Sequence, residues 1–178
     1  MALVHYQFET IHPFADGNGR VGRMLISLMA VSKGLLHLPA LFLSPALEGR
    51  KDEYIDKMYR VSAFGEWDNW LNFFFEIVCK SCQQTVSTID RVLELQDDYK
   101  NKASAVSASA NLLSVVDMLF EVPVIKPKDI VEKVGVTDAA ARTLLGKLVD
   151  IDILYEWDGV YPKVWVAGEL ITLAAPRQ

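Results

Sequence analysis

Between His12 and Arg23 the chain sets one imidazole, one carboxylate, three glycines and two guanidinium groups within twelve residues: His12-Pro13-Phe14-Ala15-Asp16-Gly17-Asn18-Gly19-Arg20-Val21-Gly22-Arg23. A helix is expected to open at about Gly19. A helix N-terminus carries unpaired N–H groups and the positive end of the helix dipole. Gly17 and Gly19 let the backbone turn tightly and approach a ligand closely, so Gly17-Asn18-Gly19 reads as an anion nest suited to phosphate. Arg20 and Arg23 are three residues apart, share a helix face, and can each fork onto phosphate oxygens. A carboxylate beside such a nest would repel phosphate unless a cation lay between them. Asp16 is therefore read as a Mg²⁺ ligand, since Mg²⁺ binds one or two carboxylates together with substrate phosphates. His12, at the mouth of the loop, is placed to take a proton from an attacking hydroxyl. Each piece alone has an ordinary explanation; their conjunction points to chemistry on a nucleotide.

The segment resembles the Fic family signature H-x-F-x-[DE]-G-N-G-R-x-x-R at every fixed position. The likeness extends to His5-Tyr6-Gln7-Phe8-Glu9 before it and to Leu41–Pro45, Glu53-Tyr54 and Gly65-Glu66-Trp67 after it. The resemblance implies a protein adenylyltransferase, which moves AMP from ATP onto a Ser, Thr or Tyr hydroxyl of a protein and releases pyrophosphate. It implies His12 as general base and Asp16 as the Mg²⁺ ligand. Nucleotide contacts would come from Gly17, Asn18, Gly19, Arg20, Val21, Gly22 and Arg23. Doc-type kinases, a sister branch, alter the glycines of this loop, and both are intact here. Arg50 stands where many relatives have Asn near the nucleotide, and Ile55 where they have a second Tyr. Ser44-Pro45-Ala46-Leu47-Glu48-Gly49 fits the family's inhibitory pattern [ST]-x-x-x-E-[GN] by letter, but Ser44 is read here as a helix N-cap. Relatives carry helices and a substrate-aligning flap before the motif. The expectation is therefore a Fic domain incomplete at its N-terminus, with impaired transfer and uncovered apolar faces that favour a homo-oligomer.

Several helices must position the loop. Residues 3 to 11 are expected to end a helix whose apolar side is Leu3, Val4, Phe8 and Ile11. Met24, Leu25, Leu28, Met29 and Val31 make the next helix densely apolar and central, with Gly34 ending it. Ser44 and Pro45 start a helix that runs through Leu47, Tyr54, Ile55, Met58 and Val61 to Gly65. A long helix follows from about Trp67 to Leu95, with Trp67, Trp70, Leu71, Phe74, Val78 and Cys82 at helical spacing. Its Cys79 and Cys82 are read as small, partly buried helix residues, since no second Cys/His pair completes a zinc site. The aromatic cluster Trp67, Trp70, Phe73, Phe74 and Phe75 is read as core and interface. His5 and His37 are read as packing or surface residues.

The polar stretch Asp97–Ser109 suggests a boundary, giving an incomplete Fic-like domain over 1–104 and a second domain over 105–178. In the second, a helix at 111–120, a helix from Lys126, Thr137 as N-cap of a third helix, and a hairpin around Asp158-Gly159 give the order of a winged helix-turn-helix. The predicted fold class is mainly α, a Fic-type helical bundle followed by a small α+β winged helix. The third helix offers Arg142 and Lys147 against Asp138 and Asp150. From residue 105 onward there are seven basic and ten acidic residues. DNA is accordingly the lesser expectation for this domain, and a protein-docking or dimerising role the greater. The competing functional reading is a winged-helix DNA-binding regulator whose Fic part only senses nucleotide.

A net charge of −5 over 178 residues gives no basic field for nucleic acid or membranes, and no run approaches the ~20 apolar residues of a bilayer span. The chain opens without a signal-peptide pattern, so a cytoplasmic location is expected.

Overall fold

The computed structural model describes residues 1–159 and 161–175; Val160, in the expected hairpin turn, lies outside them. The protein is mainly helical with a small three-stranded antiparallel sheet, and it forms two compact units, Met1–Ser87 and a second from Thr88 onward. No helix among the described residues is long and apolar enough to cross a membrane.

The first unit contains α1 (Ala2–Ile11), α2 (Asn18–Ser32), α3 (Ser44–Glu48), α4 (Lys51–Phe64) and the start of α5 (Trp67–Val106). Its core gathers Ile26, Leu43, Val61, Phe73, Phe74 and Ile77 around Trp70, which is fully buried. The Trp70 indole N–H donates to the Ala2 carbonyl at 3.2 Å and so fixes the first turn of α1 to α5.

Helix α1 turns the other way from its expected apolar side. Leu3, Val4 and Ile11 are exposed, and His5 and Tyr6 are buried instead. Both buried side chains find polar partners on α4: Tyr6 Oη and Ser62 Oγ are 2.7 Å apart, and His5 Nε2 lies 3.1 Å from Tyr54 Oη. Helix α2 buries Asn18 at its head and then the row Gly22, Ile26, Ser27 and Ala30, with Ser27 Oγ donating to the Leu41 carbonyl at 2.6 Å. Met24 and Leu28 face outward, so α2 is not central. Gly34 follows its end at φ +69, as its placement suggested.

The single helix expected from Ser44 to Val61 is two. Leu43, not Ser44, is the N-cap of α3, and the break at Gly49–Arg50 starts α4 afresh. Arg50 stabilises that new start by forking onto Glu53 in the first turn, at 2.7 and 2.8 Å. On α5 the buried face is Trp70, Phe73, Phe74, Ile77 and Ser81; of the expected row Trp70 and Phe74 are buried and Leu71 and Val78 pack partly against the core, while Trp67 and Cys82 are exposed. Cys79 and Cys82 are exposed. Ser81 takes the interior position because its hydroxyl donates to the Phe42 carbonyl at 2.8 Å, which a thiol does only weakly.

The second unit holds the remainder of α5, α6 (Ala110–Glu121), β1 (Val124–Ile125), α7 (Pro127–Val134), α8 (Asp138–Asp150), β2 (Tyr155–Glu156), β3 (Trp165–Val166) and α9 (Gly168–Ala174). Strand order is β1-β3-β2, with Val124 opposite Val166 and Tyr155 opposite the same residue. Local chemistry sets the helix starts. Pro127 opens α7 while Asp129 Oδ2 accepts the Lys126 N–H at 2.7 Å, and Thr137 Oγ1 accepts the Ala140 N–H at the head of α8. Ala141, Leu144, Leu145 and Leu148 face inward to Leu112, Val116, Leu119 and Ile130. Strand β1 and helix α9 have no counterpart in the sequence reading; each is too short to show a period.

Candidate functional site

The loop 12–17 joins α1 to α2, and each end is held by a left-handed residue. His12 is the C-cap of α1 at φ 50, ψ 58, with its N–H donating to the Phe8 carbonyl at 3.0 Å. Histidine tolerates this region better than most residues. The His12 Nδ1 atom lies 3.3 Å from the Glu9 carbonyl. A carbonyl only accepts, so this contact favours the tautomer protonated at Nδ1 and leaves the Nε2 lone pair unused. The ring is exposed.

Gly17 is the N-cap of α2 at φ +83, and its carbonyl accepts the Val21 N–H, the first bond of the helix, at 3.0 Å. The N–H groups of Asn18, Gly19 and Arg20 precede that bond and have no helical acceptor. They form the head of the nest. The Asn18 side chain does not join them. It is buried and clamps the loop: Oδ1 accepts the Phe14 N–H at 2.9 Å while Nδ2 donates to the Phe14 carbonyl at 2.6 Å. Asn18 thus has its backbone alone to offer a phosphate.

Arg20 Nη2 lies 3.2 Å from Asp16 Oδ2, with both side chains mostly in solvent at 74% and 92% exposure. So exposed a pair contributes at most about 1 kcal/mol and yields easily to a bound anion or cation. The Arg23 guanidinium lies along Gly19, where a Cβ would stand 3.1 Å from Nη1, and its Nε donates to Ser44 Oγ at 3.0 Å. That bond accounts for Ser44, whose hydroxyl serves Arg23 and not a helix cap. Val21 is partly exposed on the outer side of α2. Gly22 has a different task from the nest: a Cβ there would collide with Glu9 Oε1 and stand 3.2 Å from His5 Cε1. It lets α1 and α2 cross closely. Arg50 is engaged elsewhere, with Glu53, with Glu76 at 2.9 Å, and over the Phe73 ring at 4.7 Å.

Sequence reasoning left out a buried polar layer beneath the loop, made by His5, Glu9 and Tyr54. His5 Nδ1 and Glu9 Oε1 are 4.0 Å apart, and neither has a hydrogen-bond partner among the described residues. Burial lowers the His5 pKa to about 4, and the Arg23 charge acts in the same direction. Burial raises the Glu9 carboxyl above its ordinary value, against the pull of Arg23 and His12. Burial likewise pushes the Tyr54 phenol well above its usual range. The signal was present: His5 and Glu9 are four apart on the helix that enters the loop.

For Mg²⁺ the donor set fits a shared mode of binding. Among the described residues no group of three or more His, Cys, Asp or Glu side chains is assembled for a metal. Asp16 stands alone and exposed beside the nest, which suits an ion that takes one carboxylate and completes its shell with phosphate oxygens and water.

Comparison with known proteins falls on this same corner. The Fic/DOC family profile matches residues 1–30. A probable protein adenylyltransferase of Aquifex aeolicus (strain VF5), aq_aa38, is 56% identical over 36 residues, which is 20% of this chain and 11% of that protein. Protein adenylyltransferase fic-1 of Caenorhabditis briggsae, like its Caenorhabditis elegans counterpart, is 46% identical over 33 residues, 18% of this chain and 6% of theirs. The matched stretch thus spans about a tenth or less of each relative. The profile match takes in α1, the loop and most of α2, and on that stretch the chain is similar to the Fic/DOC family.

Proposed function

We propose that the loop is the catalytic centre of a protein adenylyltransferase, transferring AMP from ATP to a Ser, Thr or Tyr hydroxyl of a protein. The observation that carries the reading is the pairing of a His12 ring held through Nδ1 with a helix head whose N–H groups have no acceptor. In the reaction His12 Nε2 takes the hydroxyl proton. The hydroxyl oxygen bonds to the α-phosphorus, and the bond from that phosphorus to the bridging oxygen breaks. Pyrophosphate departs with that electron pair. The N–H groups of Asn18, Gly19 and Arg20 hold phosphate oxygens, with the Arg20 and Arg23 guanidiniums gripping the outer phosphates. Asp16 would hold Mg²⁺, which when bound neutralises phosphate charge and orients the leaving group. Val21 and Gly22 complete the segment, Gly22 by letting the helices approach. Arg50 would bear on base preference only on release from Glu53 and Glu76, which hold it at 2.7 and 2.9 Å.

For the second unit we propose a winged helix that docks protein. From residue 105 onward seven basic residues stand against ten acidic ones, and on α8 Arg142 has Asp138 beside it at 2.7 Å, so the unit presents no basic field to a phosphate backbone. The DNA-regulator alternative has no such support.

The experiment is transfer of label from α-³²P ATP to protein targets. His12→Ala should abolish labelling while nucleotide binding persists. Labelling at the wild-type rate would refute the base assignment. DNA retention that falls steeply with salt would favour the regulator.

A further inference from the structure

Arg23 is partnered differently from the arginines around it. Arg20, Arg50 and Arg60 each lie against at least one carboxylate. Arg23 makes no ion pair among the described residues; its Nε donates to the hydroxyl of Ser44 at 3.0 Å. The half-buried guanidinium lies flat along Gly19, where a Cβ would stand 3.1 Å from Nη1, 3.8 Å from Cζ and 3.9 Å from Nη2. It is thereby held beside the head of α2, whose first N–H groups have no helical acceptor. With Nε on Ser44, the N–H groups of Nη1 and Nη2 remain for an anion.

Ser44 is itself firmly placed. Leu43 before it and Ala46 and Leu47 after it are buried in the core of the first unit. The segment that leads to it is tied to α2 by Ser27 Oγ on the Leu41 carbonyl, at 2.6 Å, and to α5 by Ser81 Oγ on the Phe42 carbonyl, at 2.8 Å. A neutral hydroxyl at such a point fixes the direction of a guanidinium and leaves its charge whole. A carboxylate there would fix the direction equally well and cancel the charge.

We infer that Ser44 is a positioning residue of the phosphate site, and that by aiming Arg23 alongside the nest it makes the site a reader of two neighbouring phosphates. The inference rests on the reading of the loop as a nucleotide site. One phosphate occupies the helix head. A second, joined to the first, meets a fork already turned toward it, so its binding does not have to immobilise a flexible side chain. A nucleoside monophosphate has only one such group and draws on the helix head alone. Ser44 touches neither the nucleotide nor the target; it acts through Arg23 on the preference for polyphosphate over monophosphate.

The test is calorimetric binding of two ligands to the full chain with magnesium present: AMP, and α,β-methylene ATP, whose α–β bridge cannot be cleaved by transfer. The wild type should bind the methylene analogue more tightly than AMP. Ser44→Ala should lose about tenfold in affinity for the analogue, the weight of one charge-assisted hydrogen bond, and keep its affinity for AMP. Ser44→Thr retains the hydroxyl and should retain the preference. Ser44→Asp should lose the preference while its thermal midpoint holds, since a new ion pair with Arg23 secures the fold and occupies the fork. Ser44→Ala with the wild-type ratio of affinities would overturn the inference, as would equal losses for both ligands, which would mark Ser44 as structural only. A Ser44→Thr protein that behaves like Ser44→Ala, or a Ser44→Asp protein with the wild-type preference, would also overturn it. A wild type that binds both ligands equally would overturn the inference and leave the loop a nucleotide site, whereas one that binds neither would overturn both.

Discussion

Asn18 grips the peptide units on both sides of Phe14, accepting from its N–H at 2.9 Å and donating to its carbonyl at 2.6 Å. One buried amide thereby closes the loop from His12 to Gly17 with both of its functional ends. Asn18→Leu removes both bonds and leaves two backbone groups without partners, at about 1–3 kcal/mol for each that stays dry. Unfolding midpoints in urea should fall accordingly. Nucleotide affinity measured by calorimetry should fall further than it does for Val21→Ala, which leaves the clamp intact. An Asn18→Leu protein with wild-type affinity would show that the clamp does not shape the nest.

Gly22 makes the crossing of α1 over α2 possible, because any Cβ there meets the Glu9 carboxyl. Gly22→Ala forces the helices apart or drives Glu9 from its place. Overpacking of this kind costs about 1–3 kcal/mol. Transfer should drop by a larger factor than stability alone explains, since His12 rides on the end of α1. Glu9→Ala introduced with Gly22→Ala should restore part of the thermal midpoint by vacating the space, and a double variant less stable than Gly22→Ala would contradict the steric account.

The buried His5 sets a pH dependence. Its folded pKa of about 4 lies below its ordinary 6.5, so between those values the unfolded chain binds a proton that the folded chain does not. Stability therefore falls as pH drops from 6.5 toward 4, by roughly 3 kcal/mol for His5 alone. Glu9 acts in the opposite sense: its raised pKa means that the folded state holds a proton more firmly, which favours folding as pH falls from the folded value toward 4.5. The net slope is shallower than His5 would give by itself. Urea titrations at pH 7, 6 and 5 should show a declining unfolding free energy in the wild type. In His5→Gln the decline should be smaller, and an equal decline would place the titrating group elsewhere.

The backbone geometry of the candidate site was legible in the sequence because it is local. Its nest and guanidiniums come from one helix head and the residues just before it, and glycine at positive φ is the only residue that Gly17's place takes without strain. The caps of α7 and α8 were legible for the same reason. The facing of α1 was not, since it is set by Tyr54 and Ser62, about fifty residues away in sequence, which give His5 and Tyr6 polar partners inside. Leu3, Val4 and Ile11 looked like a core face only while those partners were unknown. Cys79 and Cys82 looked small enough to bury. What decided the matter was a carbonyl at Phe42 that called for a hydroxyl, and Ser81 supplies it. Arg50 broke a helix that the spacing of Leu47, Tyr54 and Met58 made continuous, because two carboxylates on different helices claim its guanidinium.

The contact of Glu9 with Gly22 has a consequence for how the loop can vary. The Glu9 carbonyl faces the His12 ring, and the Glu9 side chain rests where α2 presents no Cβ. The His12 ring and the head of α2 are thus registered to each other across a helix crossing, like two jaws on one pivot. The intervening residues span the gap without setting its width. Side chains at Pro13 and Ala15, both exposed, can accordingly change the width and character of the space between the jaws while leaving their alignment untouched.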